Sequence, residues 1–163
     1  LLKLAESDAE LATVMGHEIG HVIARHGAER MSQAMLLQFG QAVGSAVIDA
    51  KSGSPQTKQV FDTAYGSGTN LALVLPHSRK NESEADRMGA TYAARAGYDP
   101  RASITFWEKM VAQKKNAEKG GSASSGKIAG LLSTHPPDEQ RVADLRALMP
   151  QVLPIYEQNR GRF

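Results

Sequence analysis

Two histidines and a glutamate in the first part of the chain have the spacing of a metal-binding motif. His17, Glu18 and His21 form the sequence H-E-x-x-H. On an α-helix, residues four positions apart lie one turn apart on the same face, so both imidazoles can bind one metal ion. Glu18 lies beside that face, where its carboxylate can accept a proton from a water molecule that the metal activates. The spacing therefore indicates hydrolysis assisted by a metal ion.

The residues around the motif predict the helix that it requires. Ser7 and Glu10 form an S-x-x-E capping box at the start of the segment, and Gly27 is expected to end the helix. Between these ends, apolar residues recur at helical spacing, at Leu11, Val14, Met15, Val22 and Ile23. A surface helix with two solvated histidines is the alternative, but the position of the motif in mid-helix among apolar residues favours a metal site.

A catalytic zinc usually has three protein ligands and an open position, so a third ligand must come from elsewhere. The extended metzincin pattern would require glycine at position 24 and histidine at position 27, where this chain has Ala24 and Gly27. The segment 78–90 offers Glu82 and Asp86, one helical turn apart. By themselves these two carboxylates are typical of an ordinary acidic helix face. Combined with H-E-x-x-H, they predict that Glu82 binds the metal and that Asp86 accepts the outer N–H of a ligating histidine.

Composition limits the remaining choices. The chain has 163 residues, 41% of them hydrophobic, which predicts a single domain over 1–163 with a substantial core. A net charge of +2 gives no field that would argue for nucleic acid as a partner. Because the chain contains no cysteine, any metal ligands must be histidines and carboxylates. No apolar run approaches the roughly 20 residues that span a bilayer. There is no signal peptide, and Leu1 begins the chain without Met, so we expect a piece of a longer protein that lacks its N-terminal segment.

Helical patterns account for most of the chain after the motif, and convincing strands are few. We expect helices at about 29–50, 56–65, 79–96, 99–119 and 138–148, and a helix rather than a strand at 70–76. Gly66, Ser67 and Gly68 are expected to weaken any continuous helix there, and Pro150 and Pro154 to break the tail. The predicted fold class is therefore mainly α.

Several residues are expected to serve packing rather than chemistry. One side of the second helix is interpreted as core, and consists of Met31, Met35, Phe39, Val43, Val47 and Ala50. Trp107 is interpreted as a core anchor, and His26 and His77 as structural or solvated. Gly89 is expected to let the helix that carries Glu82 approach the first helix closely. The segment Gly120 to Gly126 has the composition of a flexible loop.

Three motifs in order resemble one protein family. H-E-x-x-H, then S-R-x-x-E-x-E-A-D about sixty residues further on, then T-H-P-x-x-x-x-R, are similar to the zinc metallopeptidases that include the CAAX prenyl proteases, HtpX, and the OMA, BepA and LoiP proteins (peptidase family forty-eight). The match runs from about residue 5 to residue 145. It implies a zincin-like helical metallopeptidase core, in which the H-E-x-x-H helix packs against the helix that carries E-x-x-x-D.

The resemblance also implies roles for individual residues. The zinc ligands would be His17, His21 and Glu82. Glu18 would be the catalytic acid and base, and Asp86 would hold a ligand. His135 and Arg141 fall on the H-P-x-x-x-x-R positions, near the active site, where either could stabilise a developing oxyanion. His135 could instead occupy the open position of the zinc and hold the enzyme latent.

The chain departs from the family in two ways. It lacks the transmembrane helices of the membrane-embedded members, so it resembles the soluble branch with BepA, LoiP and the OMA proteins. This similarity implies a bacterial protein in the periplasm or another extracytoplasmic compartment. The strand-containing segment that precedes the first motif in the family, where an edge strand would receive an extended substrate, is either absent or expected to be supplied by residues upstream of Leu1.

The expected function is that of a zinc-dependent endopeptidase with one Zn²⁺ per chain, acting on protein or peptide substrates in protein quality control. Substrates associated with a membrane are compatible with it. The alternative is a non-catalytic, chaperone-like helical module with a structural zinc, held by His17, His21, Glu82 and His135. Glu18 discriminates between the two, because a structural site does not need it. A weaker alternative is a helical interaction bundle without metal.

Overall fold

The computed structural model describes residues 4–51, 54–118 and 135–161, and these residues form helices and no strands. The helices are α1 (Asp8–Ile23), α2 (His26–Lys51), α3 (Pro55–Thr69), a π-helical segment (Asn70–Val74), α4 (Leu75–Arg95), α5 (Ala102–Glu118) and α6 (Glu139–Asn159). The prediction of a mainly α fold is confirmed. The segment Gly120 to Gly126, predicted to be a loop, lies outside the described residues. None of the helices in the described ranges is both long and apolar enough to cross a membrane.

The chain divides into two compact units. The first is formed by the described parts of Leu1–Ala24 and Glu82–Phe163, and the second by those of Arg25–Asn81. All the residues predicted to form the site lie in the first unit. A single catalytic domain over 1–163 stays a prediction.

Helix α1 begins as expected but ends earlier. The Ser7 hydroxyl accepts a hydrogen bond from the Glu10 amide at 3.2 Å. The Glu10 carboxylate accepts from the amide of Glu6, at 2.8 Å, instead of completing a capping box with Ser7. The prediction that Gly27 ends the helix is wrong, because α1 ends at Ile23 and Gly27 lies within α2. Arg25, with φ of 59°, takes the left-handed conformation that was expected of a glycine, at a modest steric cost.

Helices α1 and α4 cross with their backbones in contact. A Cβ atom on Gly16 would lie 2.8 Å from the carbonyl oxygen of Gly89, and one on Gly89 would lie 2.7 Å from the amide nitrogen of His17. Because backbone atoms cannot move aside as a side chain can, a methyl group at either position would force the helices apart. The predicted close approach at Gly89 is confirmed. This contact brings the carboxylates of α4 next to the histidines of α1.

Helix α5 lies at the centre of the first unit, packed against α1 and α6. The core consists of Leu4, Val14, Ala90, Ala94, Phe106, Trp107, Met110, Val142, Leu145, Leu148, Met149 and Val152. Trp107 is buried, as predicted, and its ring makes an edge contact with Phe106. The prediction that Pro150 and Pro154 break the tail is wrong, since α6 continues to Asn159. Burial of the apolar residues around these prolines compensates for the hydrogen bonds that the prolines remove from the helix.

In the second unit, α2 packs on α3 through its small residues. Gly40 faces the Tyr65 hydroxyl and Gly44 faces the Phe61 ring. The apolar side of α2 was predicted to be core, and this is wrong: Met31, Met35, Phe39, Val43, Val47 and Ala50 are exposed. Amphipathic spacing identifies an apolar face but not whether another element covers it, and α3 packs on a different face of α2. Helix α3 also continues through Gly66 to Thr69, contrary to the expected interruption.

Candidate metal centre

Helix α1 presents the first histidine in a fixed orientation. His17 is 2% exposed, and its Nδ1 donates a hydrogen bond to Asp86 Oδ1 at 2.8 Å. With the proton on Nδ1, the lone pair of the other ring nitrogen, Nε2, is available for a metal. Nε2 lies 3.0 Å from Nε2 of His21, one turn later on the same helix.

Four side chains bring potential ligand atoms to one point. Glu82 Oε2 lies 3.4 Å from His17 Nε2, and Glu82 Oε1 lies 3.3 Å from His21 Nε2. His135 Nδ1 lies 3.1 Å from Glu82 Oε2 and 3.2 Å from His17 Nε2. One ligand atom from each of the four residues falls within 4.8 Å of all the others, and the described part of the chain contains no second group of this kind. His26 and His77 are not part of it.

The polar atoms at this point are those that a cation would satisfy. Glu82 is 1% exposed, and its Oε1 is buried without a hydrogen-bond partner among the described residues. An unpaired carboxylate oxygen is costly to bury, and a metal ion would remove that cost. Imidazole nitrogens with one carboxylate oxygen are a donor set that suits zinc and related divalent metals. The residues therefore fit a metal ion.

The charges of the group favour an ionised carboxylate at the metal position. Burial raises the pKa of Glu82, but the close His135, His17 and His21 rings outweigh it and hold that pKa far below its ordinary value. Burial lowers the pKa of His17, whereas Asp86 and Glu82 raise it, and the net shift is upward. Protonation of the His17 ring places a second proton on Nε2, and a metal ion would compete with this proton for the nitrogen.

Behind the four converging side chains, a buried arginine binds Glu82 and Asp86 of α4. Arg141, on α6, is 4% exposed, and its Nε and Nη2 donate to Asp86 at 2.7 and 2.8 Å. Its Nη1 lies 3.1 Å from Glu82 Oε2 and donates to the carbonyl oxygen of Pro136 at 3.2 Å. The guanidinium carbon lies 3.7 Å from the centre of the Trp107 ring. That ring is also 5.5 Å from the His17 ring, centre to centre. This second contact of Trp107 could not be predicted from the spacing of residues alone.

Glu18 and His135 lie on the side of the group that is open to solvent. The Glu18 side chain is 47% exposed, and its Oε1 lies 3.4 Å from His135 Nε2. His135 precedes α6, which Asp138 caps by accepting a hydrogen bond from the Arg141 amide at 2.8 Å. The exposed carboxylate is therefore the group that can meet both a substrate and a water molecule at the metal position.

An H-E-x-x-H helix that crosses a second helix carrying E-x-x-x-D is the arrangement of a metal-dependent peptidase. The model of peptidase family M48 matches residues 1–149, and the chain belongs to this family.

Similar proteins come from bacteria and from eukaryotes. The chain is 33% identical over 166 residues to the Beta-barrel assembly-enhancing protease of Escherichia coli (strain K12), a match that covers 100% of this chain and 32% of that protein. It is 36% identical over 160 residues to the Mitochondrial metalloendopeptidase OMA1 of Arabidopsis thaliana, with 97% of this chain and 28% of that protein covered. The chain thus spans about a third of the length of these relatives. No solved structure matches it significantly.

Proposed function

We propose that this chain is the catalytic core of a zinc-dependent endopeptidase that acts on protein substrates. The observation that carries the proposal is the convergence of His17, His21 and Glu82 beside the exposed carboxylate of Glu18. Zinc is the metal that such a three-ligand set most often binds in peptidases. The names of the relatives, one an assembly-enhancing protease and the other a metalloendopeptidase, support a role in protein quality control. The extracytoplasmic compartment stays a prediction, because one of these relatives comes from a bacterium and the other is named as a mitochondrial protein.

Glu18 and Asp86 have different roles in the proposed hydrolysis of a peptide bond. Bound zinc would supply a Lewis acid that lowers the pKa of a water molecule to about 7. Glu18 would accept a proton from the attacking water as the water oxygen bonds to the peptide carbonyl carbon. Glu18 then returns the proton to the amide nitrogen as the C–N bond breaks. Asp86 keeps His17 in the tautomer that leaves Nε2 free for the metal.

The direct test is an assay of the purified chain with an unfolded protein such as casein. We expect hydrolysis that stops on removal of the metal with a chelator and returns on addition of about one equivalent of zinc per chain. Circular dichroism before and after chelation checks that the helices persist. Hydrolysis that continues at the same rate in a chain shown to be free of metal would contradict the proposal.

A non-catalytic module with a structural zinc is the second candidate, and one observation favours it. His135 brings a fourth donor atom to the group, as in a closed structural site. Such a site, however, has no use for Glu18, whose carboxylate lies next to His135 and is open to solvent. The same geometry therefore also fits a latent enzyme in which His135 occupies the position that the water needs.

His135→Ala is expected to raise the rate of casein hydrolysis, because it would free that position at the metal. His77→Ala is the matched control, since His77 is an exposed histidine outside the group. If His135 instead stabilises the oxyanion, the same change should lower the rate by roughly 10² to 10³. An unchanged rate with unchanged zinc content would show that His135 has neither role.

A further inference from the structure

Arg141 and Trp107 form a buried support behind the metal ligands. The guanidinium of Arg141 lies over the Trp107 ring and donates two parallel hydrogen bonds to Asp86. Asp86 in turn accepts from His17. We propose that Arg141 is a positioning residue, which acts through Asp86 and Glu82 to fix the ligand geometry and does not contact the substrate. This inference rests on the metal site proposed above.

The first argument is that the donor groups of Arg141 are already engaged. Its Nε and Nη2 bind the two oxygens of Asp86, and its Nη1 lies against Glu82 and the Pro136 carbonyl. With the side chain 4% exposed, reaching a substrate carbonyl would mean breaking contacts with two buried carboxylates.

The second argument is that Arg141 sets the orientation of the Asp86 carboxylate. Asp86 Oδ1 accepts from both Arg141 Nη2 and His17 Nδ1. A guanidinium fork fixes the plane of a carboxylate as well as its charge. Asp86 is therefore held in the orientation that aims Oδ1 at His17, and His17 is held in the orientation that aims Nε2 at the metal.

The third argument is the place of Trp107. Its ring centre lies 3.7 Å from the guanidinium carbon and 5.5 Å from the centre of the His17 ring. A buried aromatic ring at this distance attracts the guanidinium and limits the room in which it can move. Trp107 thus connects the core of the first unit to a metal ligand and to the residue that orients it.

The test compares Arg141→Met and Arg141→Lys with the matched changes at Arg146. Arg146 lies on the same helix, but its side chain is 64% exposed and pairs with Glu108 at the surface. Zinc affinity is measured by competition with a chelator, without substrate.

We expect both Arg141 variants to bind zinc roughly 10 to 100-fold more weakly, as when the partner of a metal ligand is lost. Lysine should not rescue binding, because it cannot form two parallel bonds. The Arg146 variants should bind like the parent.

Cobalt substitution supplies a readout that a purely structural role would not change. The visible absorption of bound Co²⁺ reports ligand geometry, so its band should shift in Arg141→Lys and not in Arg146→Lys. An unchanged spectrum and unchanged zinc affinity in both Arg141 variants would overturn the proposal. If kcat then fell by roughly 10² to 10³, Arg141 would be a direct oxyanion donor. If only thermal stability fell, its role would be structural.

A double-mutant cycle tests the route through Asp86, and Arg141→Lys takes the place of Arg141→Met in this cycle if Arg141→Met alone fails to fold. In the Asp86→Asn background, which removes the charge that Arg141 compensates, the same change should cost less zinc affinity than in the parent. Equal losses in the two backgrounds would overturn the proposed route. A parent chain that binds no zinc would overturn the proposed function and this inference together, whereas a zinc-binding parent with unaffected variants would overturn this inference alone.

Discussion

Glu18→Gln is expected to leave the zinc content and the fold unchanged while lowering peptide hydrolysis by roughly 10² to 10⁴, the usual contribution of a general acid and base. Glutamine is nearly the same size as glutamate, but its amide cannot accept the proton of the attacking water. The Glu18 side chain is half exposed and does not belong to the group of four potential ligand residues. Replacing it should therefore leave the buried residues undisturbed. The measurement is the rate of casein hydrolysis at equal zinc occupancy.

Glu18→Asp is a useful companion to this variant. It keeps the carboxylate but shortens its reach, so intermediate activity would support a proton-transfer role. A Glu18→Gln variant that cleaves as fast as the parent would show that the proposed mechanism is wrong.

Glu82→Ala, His17→Ala and His21→Ala are each expected to remove most of the bound zinc. Losing one ligand of three undoes the chelate, and metal binding depends on all of them together. Asp86→Ala should have a milder effect, of about 10 to 100-fold in affinity, since Asp86 acts by holding His17. Zinc content per chain, measured by elemental analysis after dialysis, distinguishes the two classes of variant.

Glu84→Ala is the control for this series. Glu84 lies two residues after Glu82 on the same helix and is exposed, so its replacement should leave the zinc content unchanged. Full zinc occupancy in Glu82→Ala would contradict the ligand assignment, whatever the histidine variants do.

The convergence of His17, His21 and Glu82 could be predicted because it follows from local geometry. The spacing of His17 and His21, and that of Glu82 and Asp86, places each pair on one helix face. Only the packing of the two helices had to be inferred, and Gly89 indicated it. The counterpart of Gly89 on α1, Gly16, was not predicted, because the sequence does not show which residue of the first helix the backbone of Gly89 will meet.

Other features depend on long-range packing that a single sequence does not reveal. The contacts of Arg141 require that α6 bring it against α4, more than fifty residues earlier in the chain. Trp107 was correctly predicted to be buried, but burial does not specify its neighbours. Similarly, proline propensity predicted a break in α6, whereas burial of Leu148, Met149 and Val152 favours a continuous helix.

The contact between Gly16 and Gly89 limits how such a site could be redesigned. With no side chain between the two backbones, the spacing of α1 and α4 cannot be adjusted by choosing a larger or smaller residue. A change of metal preference would therefore have to come from the ligand side chains themselves, with both glycines retained. In a library of random variants, we would expect these two positions to tolerate substitution as poorly as the ligands do, although neither glycine offers a side chain to the metal.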